Sequence, residues 1–279
     1  MTVRQLLDIA TERLREEKIA DASSDAAILL EYVTGVTKND IYIHPDKNVS
    51  NEDVERLNGL LSLRINHKPV QYITGTAQFM GLEFAVDERV LIPRFDTEIL
   101  VEEGMKLGLS GLKILDLCTG SGCILLSLLH YSHDCTGTGT DISRGALELA
   151  RLNADRLGID AMFLESDLFE GLTTDDKYDL IVSNPPYIRS DVIPTLMEEV
   201  KDHEPMIALD GSADGLMFYR RIISEAPAFL HNEGVLMVEI GYDQGEDVSR
   251  LFEEAGYEDV SVIRDLGGLD RVVKGMRHV

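Results

Sequence analysis

The sequence has no tryptophan, 8 prolines and 3 cysteines among 279 residues. With so few prolines, 44% hydrophobic residues and no low-complexity tract, a disordered chain is excluded and one or two domains with a sizeable core are expected. Cys118, Cys123 and Cys135 form no C-x-x-C pair, and no histidine follows at zinc-ligand spacing. We therefore predict reduced thiols and no metal site.

Basic residues are also scarce. Lys and Arg number 26 against 50 Asp and Glu, which gives a net charge of -24. Such a surface repels polyanions, so we expect no direct nucleic-acid partner, although the same charge also serves solubility. There is no apolar h-region at the start and no run of about twenty apolar residues. We therefore expect no membrane association and a cytoplasmic location.

The first 68 residues carry helical patterns. Apolar residues recur at helical spacing near the start, at Val3, Leu6, Leu7, Ala10 and Leu14, and residues 25–33 carry a second apolar stripe. Ser50 followed by Asp53 predicts the start of a third helix over residues 52–66. Residues 69–93 are rich in strand-type side chains separated by glycines, which predicts a β-hairpin linker. The predicted organisation is a helical domain at 1–68, this linker, and a catalytic domain at 94–279.

The remaining chain alternates short apolar strands with helical stretches. We expect strands at 113–117, 136–140, 161–165, 179–183 and 234–240, and two more around Val260 and Val272. Helices are expected from Gly122, from Ser143, near 216–230 and after 240. This alternation predicts an α/β fold with a doubly wound, mostly parallel sheet that binds its ligand at the carboxyl ends of the strands.

The first strand of this sheet leads into a glycine loop, Cys118-Thr119-Gly120-Ser121-Gly122. Glycines there allow close approach of the backbone to a ligand. The dinucleotide fingerprint requires Gly or Ala three residues after Gly122, and that residue is Leu125. The pattern favours an uncharged nucleoside over a pyrophosphate, and a purely structural turn is the alternative.

Three acids end three consecutive strands, at Asp116, Asp141 and Asp167. Asp141 lies nineteen residues after Gly122, where a carboxylate can accept hydrogen bonds from ribose hydroxyls. Asp167 is suited to accept from an exocyclic amino group such as that of adenine. Each acid alone can also be a helix N-cap. Together they suit a cationic, hydroxyl-rich and phosphate-free cofactor, which describes S-adenosylmethionine.

The fourth strand ends in Asn184-Pro185-Pro186-Tyr187. A planar nitrogen is a poor nucleophile, so its N–H groups must be held while its lone pair is directed at a methyl donor. The Asn184 side-chain oxygen and the Pro185 carbonyl can accept those N–H groups, and Tyr187 can lie against the flat face of the acceptor. These four residues are the predicted catalytic set. A strand end stiffened by prolines is the alternative.

With this motif the chain resembles the release factor glutamine methyltransferases, which are protein-(glutamine-N5) methyltransferases. The likeness covers most of its length. The motifs that carry it include Pro69-Val70-Gln71-Tyr72-Ile73-x-Gly75, Phe79-x-Gly81-x-x-Phe84-x-Val86, residues 90–98, Glu239-Ile240-Gly241 and Asp270-Arg271-Val272-Val273.

The resemblance implies a seven-stranded methyltransferase sheet and a helical domain that docks a peptide chain release factor, whose Gly-Gly-Gln loop enters the site. It also implies cofactor contacts along 118–122 and at Asp141, Leu168 and Asn184. Three residues depart from the family pattern: Phe95 replaces a common proline, Cys118 a common glycine, and Leu168 a common aromatic residue. The last two bear on cofactor affinity.

Three other functions compete with this one. An adenine-N6 nucleic-acid methyltransferase shares the Asn-Pro-Pro-Tyr motif but requires a basic groove and aromatic residues for a flipped base. A nucleotide-binding oxidoreductase requires the missing third glycine. If the protein were a binding module without catalytic activity, residues 184–187 would have no role.

Overall fold

A computed structural model describes residues 1–278, which form two compact units. The first unit contains Met1–Thr76 and a short later segment, Met197–His203. The second contains Ala77–Leu196 and the chain from Glu204 onward. No helix among residues 1–278 is long and apolar enough to cross a membrane.

The first unit is helical. Its helices are α1 (Val3–Glu16), α2 (Ala22–Thr34), α3 (Lys38–Ile43), α4 (Asn51–Ile65), α5 (Val70–Thr74) and, in the later segment, α9 (Glu198–Lys201). The hydroxyl of Ser50 accepts from the main-chain N–H of Asp53, which confirms the predicted start of the third helix of the sequence pattern, here α4. The apolar stripes of α1, α2 and α4 meet in one core around Leu14, Leu30 and Leu57.

Helix α5 differs from the expectation. Tyr72 and Ile73 were expected in a strand and lie instead in one helical turn. Pro69 precedes this turn, and Gly75 ends it in the left-handed conformation with φ +77°. A proline before the first turn and a left-handed glycine after the last are helix boundary signals, and over five residues they outweigh strand propensity.

The hairpin follows α5 and consists of β1 (Thr76–Phe79) and β2 (Leu82–Ala85). Met80 and Gly81 have φ of +50° and +72°, as a two-residue turn between twisted strands requires. Phe79 and Phe84 are buried in the core of the second unit. Asn153 holds Ala85 there, accepting from its N–H at 2.7 Å and donating to its carbonyl at 3.1 Å. The hairpin, expected as a linker, is built into the sheet-containing unit.

The second unit is an α/β fold around a seven-stranded sheet. Its strands are β3 (Lys113–Leu117), β4 (Thr136–Asp141), β5 (Met162–Glu165), β6 (Tyr178–Ser183), β7 (Leu230–Glu239), β8 (Glu258–Arg264) and β9 (Asp270–Met276), in the spatial order β5-β4-β3-β6-β7-β9-β8. Pairs among β3 to β7 are parallel, and β9 runs antiparallel to both neighbours. The predicted doubly wound, mostly parallel sheet is confirmed.

Helices cover both faces of this sheet. They are α6 (Phe95–Met105), α7 (Cys123–His130), α8 (Arg144–Leu157), α10 (Met217–Glu225) and α11 (Gly245–Glu254). Because side chains alternate along a strand, Ile114 and Leu115 of β3 enter two separate cores, one on each face. The strand order reverses beside β3, so β3, β4 and β6 open a crevice at their carboxyl ends.

Candidate active site

A cavity of about 290 Å³ lies at the carboxyl ends of β3, β4 and β6. Nine of the predicted site residues line it: Cys118, Thr119, Gly120, Ser121, Asp141, Asp167, Leu168, Asn184 and Pro186. Asp116, Gly122, Pro185 and Tyr187 are absent from its wall. The strand-end acids Asp141 and Asp167 therefore share one cavity, whereas the third predicted acid, Asp116, is not part of its wall.

The glycine loop turns β3 into α7. Gly122 has φ +79°, and a Cβ on it would lie 3.1 Å from Leu126 Cδ1 and 3.3 Å from Ala150 Cβ, so glycine is required for both dihedral and packing reasons. Gly120 has φ +55° with open space in front of it. A ligand can therefore approach its backbone closely.

Cys118 occupies the left-handed region with φ +57°. An L residue other than Gly, Asn or Asp is uncommon there and costs roughly 1–3 kcal/mol. This conformation gives a physical reason for the glycine that the resemblance implies at this position. Burial also raises the pKa of the Cys118 thiol well above its usual range.

Asp116 supports the loop from below. Its side chain has no exposed surface, and its Oδ2 accepts from the Thr119 hydroxyl at 2.6 Å. Burial raises the pKa of Asp116 to about 7, and the hydrogen bond from Thr119 opposes that rise. Thr119 lines the cavity, so Asp116 influences the cavity wall by holding the Thr119 hydroxyl.

Asp141 sits at the end of β4 with both carboxylate oxygens engaged. Oδ2 accepts from Gly120 N at 2.9 Å and Oδ1 from Ser143 N at 2.8 Å. Burial raises the pKa of Asp141, and these main-chain hydrogen bonds oppose it. Ser143, not Asp141, caps α8, through a bond from Ala146 N to its hydroxyl at 3.2 Å. A carboxylate has about four acceptor sites, so Asp141 can still accept from a ligand in the cavity that it lines.

Asp167 and Leu168 form the next part of the wall. Asp167 Oδ1 lies 2.8 Å from Nη1 of Arg221, a residue of α10 that the sequence did not suggest. Leu168 is buried and has φ +51°, a second strained position in the wall. The two other arginines of the wall are also paired, Arg94 with Glu204 at 2.5 Å and Arg89 with Asp87 at 2.7 Å.

The chemistry of the wall fits a nucleoside cation. Asp141 and Asp167 supply acceptors, and apolar side chains from several elements complete the lining: Ile142, Leu168, Met217 and Phe218. Every arginine of this wall has a carboxylate partner, so the wall offers no free guanidinium group to a phosphate. The residues present therefore fit S-adenosylmethionine.

Asn184 follows β6 at the edge of the same cavity. Its Nδ2 donates to Thr97 Oγ1 of α6 at 3.2 Å, so Oδ1 is left to accept hydrogen bonds. Thr97 also lines the cavity, although its side chain is buried. Helix α6 was not predicted, so Thr97 entered the sequence reasoning only as a letter of the 90–98 motif.

The Tyr187 hydroxyl lies at the end of β7. The hydroxyl donates to Oε1 of Glu239 at 3.3 Å, and burial raises its pKa well above the usual range. The Tyr187 carbonyl accepts from Nε2 of Gln244 at 3.2 Å. Contact of Tyr187 with a bound acceptor stays a prediction, since its side chain is absent from the cavity wall.

Glu239 ends β7 and was not predicted as a site residue. Its side chain is buried, and burial raises its pKa to about 7. The nearby hydroxyls of Thr97 and Tyr187 oppose the rise, the latter by donating to Oε1, while Asp96 adds to it. Buried carboxyl groups with shifted pKa values, such as that of Glu239, are common in functional sites.

A seven-stranded sheet of this order, with its antiparallel β9, glycine loop and strand-end acids, defines the S-adenosylmethionine-dependent methyltransferases, and this chain is one of them. The structure of a methyltransferase from Pyrococcus furiosus is similar over 72% of this chain and 91% of its own, with a TM-score of 0.55 and 16% identity. A T. Thermophilus 16S rRNA N2 G1207 methyltransferase, solved with AdoMet and guanosine, has a TM-score of 0.50 and 18% identity over 73% of this chain and 50% of its own. Both show the fold.

Sequence comparisons narrow the assignment from the fold to one family. Residues 5–75 match the PrmC N-terminal domain, and residues 94–201 match the methyltransferase small domain. A protein of Geobacter sulfurreducens named release factor glutamine methyltransferase is 40% identical over 98% of this chain and 96% of its own. The chain therefore belongs to the release factor glutamine methyltransferase family.

Proposed function

We propose that this enzyme transfers the methyl group of S-adenosylmethionine to the side-chain N5 of the glutamine in the Gly-Gly-Gln motif of peptide chain release factors. The observation that carries the proposal is the orientation of Asn184. Its Nδ2 is engaged by Thr97, so its oxygen is available at the edge of the cavity. Membership of the family supplies the substrate class.

The cofactor would be held by the residues that fit it. Asp141 would accept from the ribose hydroxyls, Asp167 from the adenine amino group, and the loop 118–122 would face the amino-acid portion. Leu168 would lie against the adenine ring. When bound, the cofactor supplies an electrophilic methyl group on a sulfonium ion.

The acceptor amide would be gripped by two oxygens. Asn184 Oδ1 and the Pro185 carbonyl would each accept one N–H, which holds the plane of the amide so that its nitrogen lone pair is directed at the methyl donor. Pro185 and Pro186 restrict the backbone, so this carbonyl is held in place. No general base is needed before transfer, because the proton can leave the nitrogen afterwards.

The helical unit would dock the release factor, since it carries no site chemistry of its own. Release factors act on cytoplasmic ribosomes, which would place the enzyme there. An adenine-N6 methyltransferase remains the competing function because it shares the Asn-Pro-Pro-Tyr motif. The net charge of -24 and the absence of tryptophan disfavour it.

Asn184→Ala tests the proposal. Its single-turnover methylation of a release factor should fall by about 100- to 1,000-fold, the loss typical of removing one hydrogen-bonding group aimed at developing charge. Affinity for S-adenosylmethionine, measured by calorimetry, should stay within a few-fold of the wild type. Mass spectrometry should locate the methyl group on the Gly-Gly-Gln glutamine, and a Gly-Gly-Asn factor is the matched control.

A rate near that of the wild type would contradict the proposed clamp. Methylation of adenine in DNA, with none on any Gly-Gly-Gln acceptor, would replace this proposal with the adenine function.

A further inference from the structure

We propose that Arg221 is a positioning residue for cofactor recognition, which holds the Asp167 carboxylate ready to accept from the exocyclic amino group of adenine. The inference rests on the contact between Asp167 and that amino group in the proposed function. It goes further by giving Arg221 a part in distinguishing adenine from other purines. Both residues line the cavity, and both belong to the second unit.

The main chain around Asp167 is already fixed. The Ser166 hydroxyl donates to the Leu168 carbonyl at 2.8 Å and accepts from Gly171 N at 2.8 Å. The Thr140 hydroxyl of β4 donates to the same carbonyl at 3.3 Å. These bonds leave the Asp167 side chain free to rotate about its own χ1 and χ2 bonds.

Arg221 restricts this rotation. Its Nη1 donates to Asp167 Oδ1 at 2.8 Å, which is a short, charge-assisted hydrogen bond. Glu170 and Glu225 lie farther from the same guanidinium group, each at 3.8 Å, so they attract it without a hydrogen bond. Within residues 1–278, Asp167 Oδ2 receives no hydrogen bond, and this oxygen is the one available to a ligand.

Helix α10 gives Arg221 a fixed base. Tyr219, Ile222 and Ile223 of this helix are buried in the core on one side of the sheet. Met217 and Arg221 are four residues apart, so they share a face of the helix, and both line the cavity. The core contacts of α10 therefore hold the main chain from which the guanidinium group reaches the wall.

The apolar part of the wall cannot identify the base. Side chains such as Leu168 and Phe218 can pack against any purine ring, and adenine and hypoxanthine have nearly the same shape. The two bases differ in one exocyclic group, because the amino group of adenine donates hydrogen bonds whereas the oxo group of hypoxanthine only accepts them. A fixed carboxylate beside this group accepts from the first and repels the second.

Positioning and charge neutralisation predict opposite results when Arg221 is replaced. If Arg221 only neutralised Asp167, its loss would leave a stronger acceptor in place, and the preference for adenine would stay or increase. If Arg221 positions Asp167, the released carboxylate turns toward water and the preference falls. The pair is partly exposed, at 32% and 35%, and such pairs contribute little to stability. A merely structural role would therefore not change the preference.

Calorimetry can measure this preference with S-adenosylhomocysteine and S-inosylhomocysteine, which carries hypoxanthine. The wild type should prefer the adenine compound by about 10- to 150-fold, the effect of one hydrogen bond to a charged group. Arg221→Gln and Asp167→Ala should each bring the two affinities within a few-fold of each other, and the double variant should resemble Asp167→Ala. Arg220→Gln is the matched control, since Arg220 is the adjacent arginine of α10, pairs with Asp214 at 2.6 Å and is absent from the cavity wall.

The affinity for S-inosylhomocysteine also checks the fold, because an unfolded variant binds neither compound. If Arg221→Gln fails this check, Arg221→Met, which keeps an apolar stem on α10, takes its place. A preference that is lost in Asp167→Ala but kept in the Arg221 variant overturns the positioning role and leaves the Asp167 contact standing. A preference that is absent from the wild type, or kept in both variants, overturns both. If the preference falls as expected but no Gly-Gly-Gln acceptor is methylated, the proposed function fails and the positioning role stands.

Discussion

At the scale of single residues, Asp141 combines two tasks. It receives the main-chain N–H groups of Gly120 and Ser143, which ties the glycine loop to the end of β4. Asp141 also lines the cavity, where we place the ribose. A variant without the carboxylate therefore loses a ligand contact and a loop restraint together.

Asp141→Ala should weaken the binding of S-adenosylmethionine by about 1.5–3 kcal/mol, or roughly 10- to 150-fold. Calorimetric titration measures this directly. Asp160→Ala, which changes an exposed acid after α8, is the control and should leave the dissociation constant unchanged. Equal affinities in Asp141→Ala and the wild type would remove Asp141 from the cofactor site.

At the scale of secondary-structure elements, the ion pairs of Arg64 join α4 to α2 and α9. Arg64 Nε lies 2.6 Å from Asp25 Oδ2 of α2, and its Nη2 lies 2.7 Å from Glu199 Oε2 of α9. The side chains of Arg64 and Asp25 are 3% and 6% exposed. Burial raises the pKa of Asp25, and Arg64 opposes that rise. Three elements of the helical unit thus share one guanidinium group.

Arg64→Met should destabilise the helical unit by about 3–5 kcal/mol, because it leaves a buried carboxylate without its partner. The double variant Arg64→Met with Asp25→Leu should recover much of that loss, since both desolvated charges are gone. Arg15→Met is the control, because Arg15 is 61% exposed and its pair with Glu12 is long at 3.6 Å. Chemical denaturation measures all three, and equal midpoints for Arg64→Met and Arg15→Met would refute the claim.

For the whole molecule, the division into two units decides where the chain can be cut. The sequence predicts that the catalytic domain starts at residue 94. In the structure that cut removes Phe79 and Phe84 from the core and leaves Asn153 without both of its Ala85 bonds. A fragment that begins at Ala77 keeps the hairpin and is the better design.

The fragment from Ala77 should bind S-adenosylmethionine but fail to methylate an intact release factor, while its weak methylation of a short Gly-Gly-Gln peptide should stay close to that of the full chain. The reason is that the cavity lies within the second unit. Circular dichroism must first show that the fragment is folded. Methylation of the whole factor at the full-chain rate would exclude the docking role of the helical unit.

Local sequence determined the regular elements and the loop chemistry. The limits of β3 and the cap of α4 follow from residues within a few positions, because apolar periodicity and capping are short-range effects. That the strand ends lie together could likewise be predicted, because parallel strands place their carboxyl ends at one edge of the sheet. Helix α6 was missed because its N-cap, Arg94, makes no side-chain cap bond and the acids of its first turn, Asp96 and Glu98, are the main start signal.

Only the tertiary structure decided which partners the site residues have. Asn184 meets Thr97 across 87 positions, Tyr187 meets Glu239 across 52, and Asp167 meets Arg221 across 54. No local pattern encodes such pairs, because they depend on strand order and on how the helices pack against the sheet. The Asn-Pro-Pro-Tyr motif could be recognised from four adjacent letters, whereas the hydrogen-bond partner of Asn184 is brought there by the fold.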